Sequence, residues 1–307
     1  MRRPSYRWTP RRETAAGYLF LSPWLLGLIG IAAIPMLISL YISFTDYSAG
    51  TPLGEARWVG TDNYQRMLTG DPRFWSAVTV TVLFAAVAVP LKLAVALGAA
   101  LLLNRERAGV GTLRSLFYLP SLLGASVALA IVWQALFSRT GPVNAFLALF
   151  GIQGRPWVND PDFALGTLVL LAVWQFGAPM LIFLAGLKQI PSDYYEAAEI
   201  DGAGPWQRFR KVTLPMLSPV IFFNLVLETI SGFQGFTGAY VVSNGTGGPL
   251  DSTLVYTLYL YTKGFGDFEM GYASAMAWVF LIAVGLLTAL FFATGRLWVH
   301  YGEERDL

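Results

Sequence analysis

Apolar residues in this chain run in long blocks separated by short polar stretches, with no alternation of inward and outward positions. A spanning helix needs about 20 mainly apolar residues, since each rises ~1.5 Å through a hydrocarbon core of ~30 Å. Six blocks are long enough: 17–44, 74–103, 113–137, 164–187, 216–242 and 271–294. The second is expected to break at Pro90, and Pro120 sits near the start of the third. None shows the period-2 pattern of a barrel strand. The predicted fold class is therefore an all-α integral membrane protein with six transmembrane helices. Residues 1–16 form an N-terminal segment, 17–294 one membrane domain and 295–307 a tail. The first block exceeds the ~7–15 residues of a signal-peptide apolar region, which predicts an uncleaved anchor.

Composition agrees with this pattern: 55% of residues are hydrophobic and 13% charged, against about 25% charged in soluble domains. The mean hydropathy is +0.53. With no Cys and a single His, His300, thiolate or His-cluster metal sites and Ser-His or Cys-His catalysis inside the fold are excluded. A net charge of +2 gives no basic face for nucleic acid.

Charge placement sets the expected orientation. Fourteen Lys and Arg fall on the side of the termini and six on the other, while the acids divide nine and nine. By the positive-inside rule both termini are expected in the cytoplasm. One base and one acid remain, Lys92 and Glu228, both inside predicted spans. On the outer side, residues 141–150 are expected to form a short interfacial helix, and the Tyr- and Leu-rich stretch 254–261 suits an anchoring role at the membrane boundary.

The cytoplasmic loop 188–215 has more structure than a connection needs. Ser192 or Asp193 is placed to cap a helix after Pro191, and Asp193 with Glu196 has the spacing of a capping box. Gly202 stands where a left-handed stop is wanted, and Gly204-Pro205 opens a second helix. The expected form is a helical hairpin with apolar residues (Tyr195, Ala198, Ile200, Trp206, Phe209) that call for a covering partner.

Within this loop Glu196-Ala197-Ala198, then Gly202 four positions on, Val212, and Leu214-Pro215 are spaced as in the signature loop of membrane subunits of binding-protein-dependent ABC importers, with Val in place of Ile as the one departure. Trp58-Val59-Gly60, Asn63-Tyr64, Arg114 to Pro120 and Gly248-Pro249 are similar to the carbohydrate-type branch, which includes the maltose and glycerol-phosphate permeases. The resemblance implies a six-helix permease pairing with a second, homologous permease. Its hairpin, through Glu196, Ala197, Ala198, Asp201, Gly202, Gly204, Pro205, Leu214 and Pro215, would dock on one of two cytoplasmic ATPase subunits. It also implies an extracytoplasmic solute-binding protein, a carbohydrate or polyol substrate, and a bacterial or archaeal cytoplasmic membrane. The chain has no Gly-x-x-x-x-Gly-Lys-Ser/Thr loop. It is therefore expected to bind no cofactor and to perform no catalysis, ATP and Mg being held by the partner ATPases.

Intramembrane polar groups are functional candidates by default. Glu228 lies ~18 Å from the cytoplasmic end of the fifth block and Lys92 ~17 Å from the same side in the second, so the two share a depth and are candidates to pair. The rival partner for Lys92 is the Ala86 carbonyl, which Pro90 leaves without its helical donor. Asn224, Glu228, Ser231 and Gly235 fall on one helix face. With Gln234, and with Trp174 and Gln175 in the fourth block, they are the candidate substrate pathway. The alternatives are an ion or proton-coupled carrier using Lys92 and Glu228 as relays, or an intramembrane lipid-modifying enzyme. Gluing of helices by these polar groups is the bland explanation.

Overall fold

The computed structural model describes residues 10–105, 109–124 and 126–300. Arg2, Arg3, Arg7, Arg107 and Arg305, which contribute to the charge asymmetry, lie outside the described residues.

Helix α1 (Pro10–Gly27) continues through a π-helical turn, Leu28–Ala33, into α2 (Ile34–Ile42). A short α3 (Asp62–Gln65) precedes the long α4 (Pro72–Leu103). Next come α5 (Val110–Leu123), α6 (Val127–Leu136), α7 (Pro142–Ala148), α8 (Pro161–Trp174) and α9 (Gly177–Gln189). The short α10 (Ser192–Ile200) and α11 (Pro205–Arg208) lead through a π-helical turn, Phe209–Thr213, into α12 (Leu214–Phe233). Helices α13 (Thr237–Val242), α14 (Tyr256–Tyr261) and α15 (Met270–Gly295) complete the chain. Gly17–Ile42, Pro72–Leu103, Pro205–Val242 and Met270–Gly295 are each long and apolar enough to cross a membrane; α5 with α6 and α8 with α9 are bent pairs that each count as one further span.

The spans differ from their expected form in instructive ways. Helix α4 passes through Pro90 without interruption, as membrane helices do when neighbouring elements absorb the lost hydrogen bond. The third span is not continuous: it breaks between Gly124, at φ +56°, and Ser126, whose hydroxyl accepts from the Leu129 N–H at 3.2 Å and so starts α6. The fourth bends by 42° at Gln175–Phe176. The fifth is interrupted at Gln234–Phe236, and at its N-terminal end the second limb of the hairpin runs into it as one helical path.

The described residues form two compact units. One gathers those up to Arg66 with Lys263–Trp278. In it the Asn63 amide donates to the Ser43 and Thr45 carbonyls at 2.9 and 2.8 Å, Tyr64 and Ser43 share a hydroxyl hydrogen bond of 2.7 Å, and Trp58 stacks on Phe44. The Trp58-to-Tyr64 stretch is thus a brace for the turn after α2. The Arg57 backbone N–H, donating to Asp46, holds that carboxyl below its ordinary range.

The other unit holds Met67–Thr262 and the residues from Val279 onward. Its axis is α4, whose buried residues Phe74, Ala77, Thr81, Ala85, Ala88, Val89, Leu93, Ala96, Ala100 and Leu103 recur at helical spacing. Four of the last seven are alanines, and small residues are what let membrane helices approach closely. Around its C-terminal half pack Met180, Phe183, Leu184 and Leu187 of α9 and Leu217 of α12. Gly186 makes the α9–α12 contact possible, since a Cβ there would stand 2.8 Å from Leu217 and Val220.

Two loop expectations fare differently. Helix α7 forms within 141–150, with Phe146, Leu149 and Phe150 exposed. The stretch 254–261 is not a surface anchor: Leu254, Val255, Tyr256, Leu258 and Tyr259 are buried. The Tyr256 N–H donates to Thr81 Oγ1 at 2.7 Å, and the Tyr259 hydroxyl donates to Asp71 Oδ2 at 2.6 Å. Those partners draw α14 inward.

Candidate functional site

Where the third, fourth and fifth spans are interrupted, they enclose one cavity of 210 Å³ together with α4. Gly124 and Ser126 come from the first break, Gln175 from the second, and Gly235, Phe236 and Thr237 from the third. A helix break leaves backbone N–H and C=O groups without intrahelical partners, and in membrane proteins such backbone is tolerated where it lines a polar cavity. At 210 Å³ the space is smaller than the ~300–1,000 Å³ of pockets for drug-sized ligands. It suits one small polar ring or several waters.

Lys92 of α4 and Glu228 of α12 both line this cavity and meet there, with Nζ donating to Oε2 at 2.7 Å. Their side chains are 16% and 15% exposed. The Lys92 ammonium thus turns to the carboxylate instead of the Ala86 carbonyl. One residue of each helix at matching depth suffices because α4 and α12 pack directly, Val89 and Ala85 facing Gly232. The pair uses one carboxylate oxygen and one ammonium proton, so each group keeps hydrogen-bonding capacity at the wall of the cavity.

Of the other candidates, Ser231, Gly235 and Gln175 line the cavity and Asn224, Gln234 and Trp174 do not. Asn224 is 1% exposed, and its amide nitrogen has no hydrogen-bond partner among the described residues. It lies one turn before Glu228 on α12, where the neighbouring Ile221 and Leu225 pack on the α4–α9 core. Gln234 is exposed because α12 ends at Phe233 and its position leaves the helical face. Trp174 instead sets its ring 5.9 Å from that of Trp133. Ser126 and the ring of Phe84 were not anticipated as lining residues; the signal for Ser126 was a small polar residue after Gly124 inside an apolar run.

The hairpin is held by short-range hydrogen bonds. Helix α10 begins without a side-chain cap: neither Ser192 nor Asp193 accepts from the first turn, and their own side chains pair at 3.4 Å. With Ser192 already inside the helix, the cap position falls to Pro191. Helix α11 carries the reciprocal-type bond instead, the Gly204 N–H donating to Gln207 Oε1 at 3.0 Å. Between them Asp201 ends α10, and Gly202 at φ +78° turns the chain. The Ala203 N–H then donates to Ala198 and the Gly202 N–H to Glu199, at 2.8 and 3.0 Å. These two bonds are the Schellman closure of a helix. Arg208–Glu199 at 3.1 Å and Tyr195–Thr213 at 3.1 Å brace the limbs. Glu196, Ala197, Gly204 and Pro205 are exposed and Leu214 and Pro215 half-buried as they open α12. Ile200 and Trp206 present bare apolar surface, 87% and 70% exposed.

Comparison with known proteins places this arrangement. Residues 92–298, from the cavity lysine past the last span, match the family described as "Binding-protein-dependent transport system inner membrane component". The chain belongs to this family. Among curated relatives, the permease is 51% identical to the probable ABC transporter permease protein YesP of Bacillus subtilis, over 96% of this chain and 95% of that one. It is 36% identical to the lactose transport system permease protein LacF of Rhizobium radiobacter, over 91% and 94%. In fold, the permease matches a chain of a bacterial alginate ABC transporter, solved with an alginate pentasaccharide-bound periplasmic protein, at a TM-score of 0.78 and 20% identity, covering 94% and 97% of the two chains.

Proposed function

We propose that this permease is one of two homologous membrane subunits of an ATP-driven importer for a sugar or related polyol. The observation that carries this is the hairpin. Glu196, Ala197 and Gly202 of the importer signature lie on an exposed, hydrogen-bonded helical turn whose Ile200 and Trp206 have no cover among the described residues. A rigid apolar knob of that kind docks in a groove and transmits motion as a body. In this reading two cytoplasmic ATPase subunits supply the groove, ATP and Mg, and an extracytoplasmic binding protein delivers the cargo. Both termini and the hairpin face the cytoplasm, which is the side richer in Lys and Arg. The permease performs no chemistry.

The cavity is this subunit's share of the passage. Amide, hydroxyl and carboxylate groups from Gln175, Ser231 and Glu228 offer hydrogen bonds to a hydroxylated ring, and Phe84 and Phe236 offer apolar faces. Passage by rocking of one helix bundle against another is the expected mode for sites built at broken helices. Relatives named for sugars, among them a lactose permease and a trehalose/maltose permease, support the substrate class.

The test is uptake into proteoliposomes containing the whole transporter. ATP inside the cytoplasmic compartment and binding protein outside should both be required, and Trp206→Ala should abolish uptake and release the ATPase. Uptake driven by a proton gradient without ATP would replace this reading with a proton-coupled carrier.

A further inference from the structure

Resting on the reading of the cavity as the passage, the geometry points to a second role for its two charges. We infer that the Lys92–Glu228 pair is a charge filter: closed on itself, it keeps the cavity electrically neutral, so that uncharged polyhydroxyl ligands are accepted and ionised sugars are turned away.

Among the described residues, Lys92 and Glu228 are the only ionisable side chains lining the cavity. They are joined at 2.7 Å with most of each side chain withdrawn from solvent, so their charges cancel at the wall instead of being screened by water. Helix ends could upset the balance, since an N-terminus carries about +0.5 of a charge and a C-terminus about −0.5. At each break, however, the end of one helix meets the start of the next: α5 against α6, α8 against α9, and α12 against α13. Their partial charges offset. The pair still offers hydrogen bonds of both senses, Glu228 Oε1 accepting and Lys92 donating. Adjacent sugar hydroxyls can use both without bringing a charge. An arriving carboxylate or ammonium would instead have to displace one member of the pair and leave the other unpaired in a low-dielectric site, which is costly.

The absence of Cys makes the potential directly measurable. Ser231→Cys places one thiol on the cavity wall, and its reaction rate is followed in the assembled transporter with three methanethiosulfonates. The uncharged methyl reagent normalises for access and thiol reactivity, and the sulfonatoethyl and trimethylammonioethyl reagents read the potential. With the pair intact, the anion-to-cation rate ratio should match that of an exposed reference thiol, Thr51→Cys in the loop after α2. Glu228→Gln should raise the ratio about tenfold or more, Lys92→Met should lower it by a similar factor, and the double variant should restore it. A ratio far from the reference in the intact protein overturns the filter without relying on any charge variant. A ratio that no variant moves, while the methyl reagent reacts readily, also overturns it and leaves the passage standing. Failure of the methyl reagent to reach the thiol in any variant overturns the passage and the filter together.

Discussion

Gly202 allows the hairpin proposed to couple to the ATPase to be tested by a perturbation whose cause is purely conformational. A Cβ built on Gly202 meets nothing within 4 Å, so no substitution there fails for lack of space. The constraint is φ at +78°, where an L-residue with a side chain pays ~1–2 kcal/mol. Against that stand two backbone hydrogen bonds, Ala203 to Ala198 and Gly202 to Glu199, each worth ~0.5–1.5 kcal/mol net. The terms are close enough that Gly202→Ala should lower the population of the closed turn by roughly 5–30-fold. Gly202→Asn, which tolerates the left-handed region, should stay near the parent, and Gly202→Val should be worst. Hydrogen exchange of the Ala203 and Gly202 amides in the full chain measures the population, and co-purification of the ATPase reads its consequence. Both should fall in the order Gly, Asn, Ala, Val, with membrane insertion unchanged. Equal exchange in Ala and Asn variants would refute the conformational argument. Intact ATPase recovery in the Val variant would remove the hairpin from the docking role.

Topology is checked on single-Cys variants: Arg155→Cys should label only from outside and Arg208→Cys only from the cytoplasm, and the reverse pattern sinks the orientation. Gly177→Ala should cost ~1–3 kcal/mol by overpacking, because its Cβ would stand 2.7 Å from Tyr118 Cα and crowd the Phe117 carbonyl. Gly98→Ala, in open space on α4, should leave the Tm in detergent unchanged or raise it. Tyr259→Phe removes the donor to Asp71, which also accepts from the Arg73 and Phe74 N–H groups at the start of α4. It should lower stability by ~1.5–3 kcal/mol, and an unchanged Tm would refute the inward anchoring of α14. Lys92→Met and Glu228→Gln should each reduce membrane yield, a lone charge at this depth costing at least ~2.5–3.5 kcal/mol. The double change should recover it, and simple addition of the two losses would refute the pair.

What could be read from the sequence was whatever depends on composition over a full span. The six apolar blocks, the lone Lys and Glu at matched depth, and the Gly202 stop all needed only local residues and a rise per residue. The span breaks were harder. Gly124-Ala125-Ser126 is a dip of only three small residues inside a long apolar run, too short to lower the average of the span, and only Gly124 and the capping hydroxyl of Ser126 mark it. The opposite error occurred at Pro90, where a helix breaker is carried by neighbours that a sequence does not display. Helix α14 was misplaced for the same reason: a Tyr- and Leu-rich stretch has one composition at an interface and in a core. What decides between them is Thr81, 175 positions from Tyr256, and Asp71, 188 from Tyr259. Trp174 was grouped with the pathway by depth and Asn224 by sharing a helix face with Glu228, and neither depth nor a shared face says which side chains line the cavity.

The three interrupted spans have an electrical consequence. Backbone groups freed at the breaks need hydrogen-bond partners, so the cavity they line draws polar contents, whether water or ligand, into an otherwise apolar layer. Such contents shorten the low-dielectric path over which a transmembrane voltage falls. A charge crossing the shortened path takes up most of the ~2.3 kcal/mol per 100 mV that a full crossing would cost. The breaks thereby concentrate the membrane field on the helix segments to either side of them.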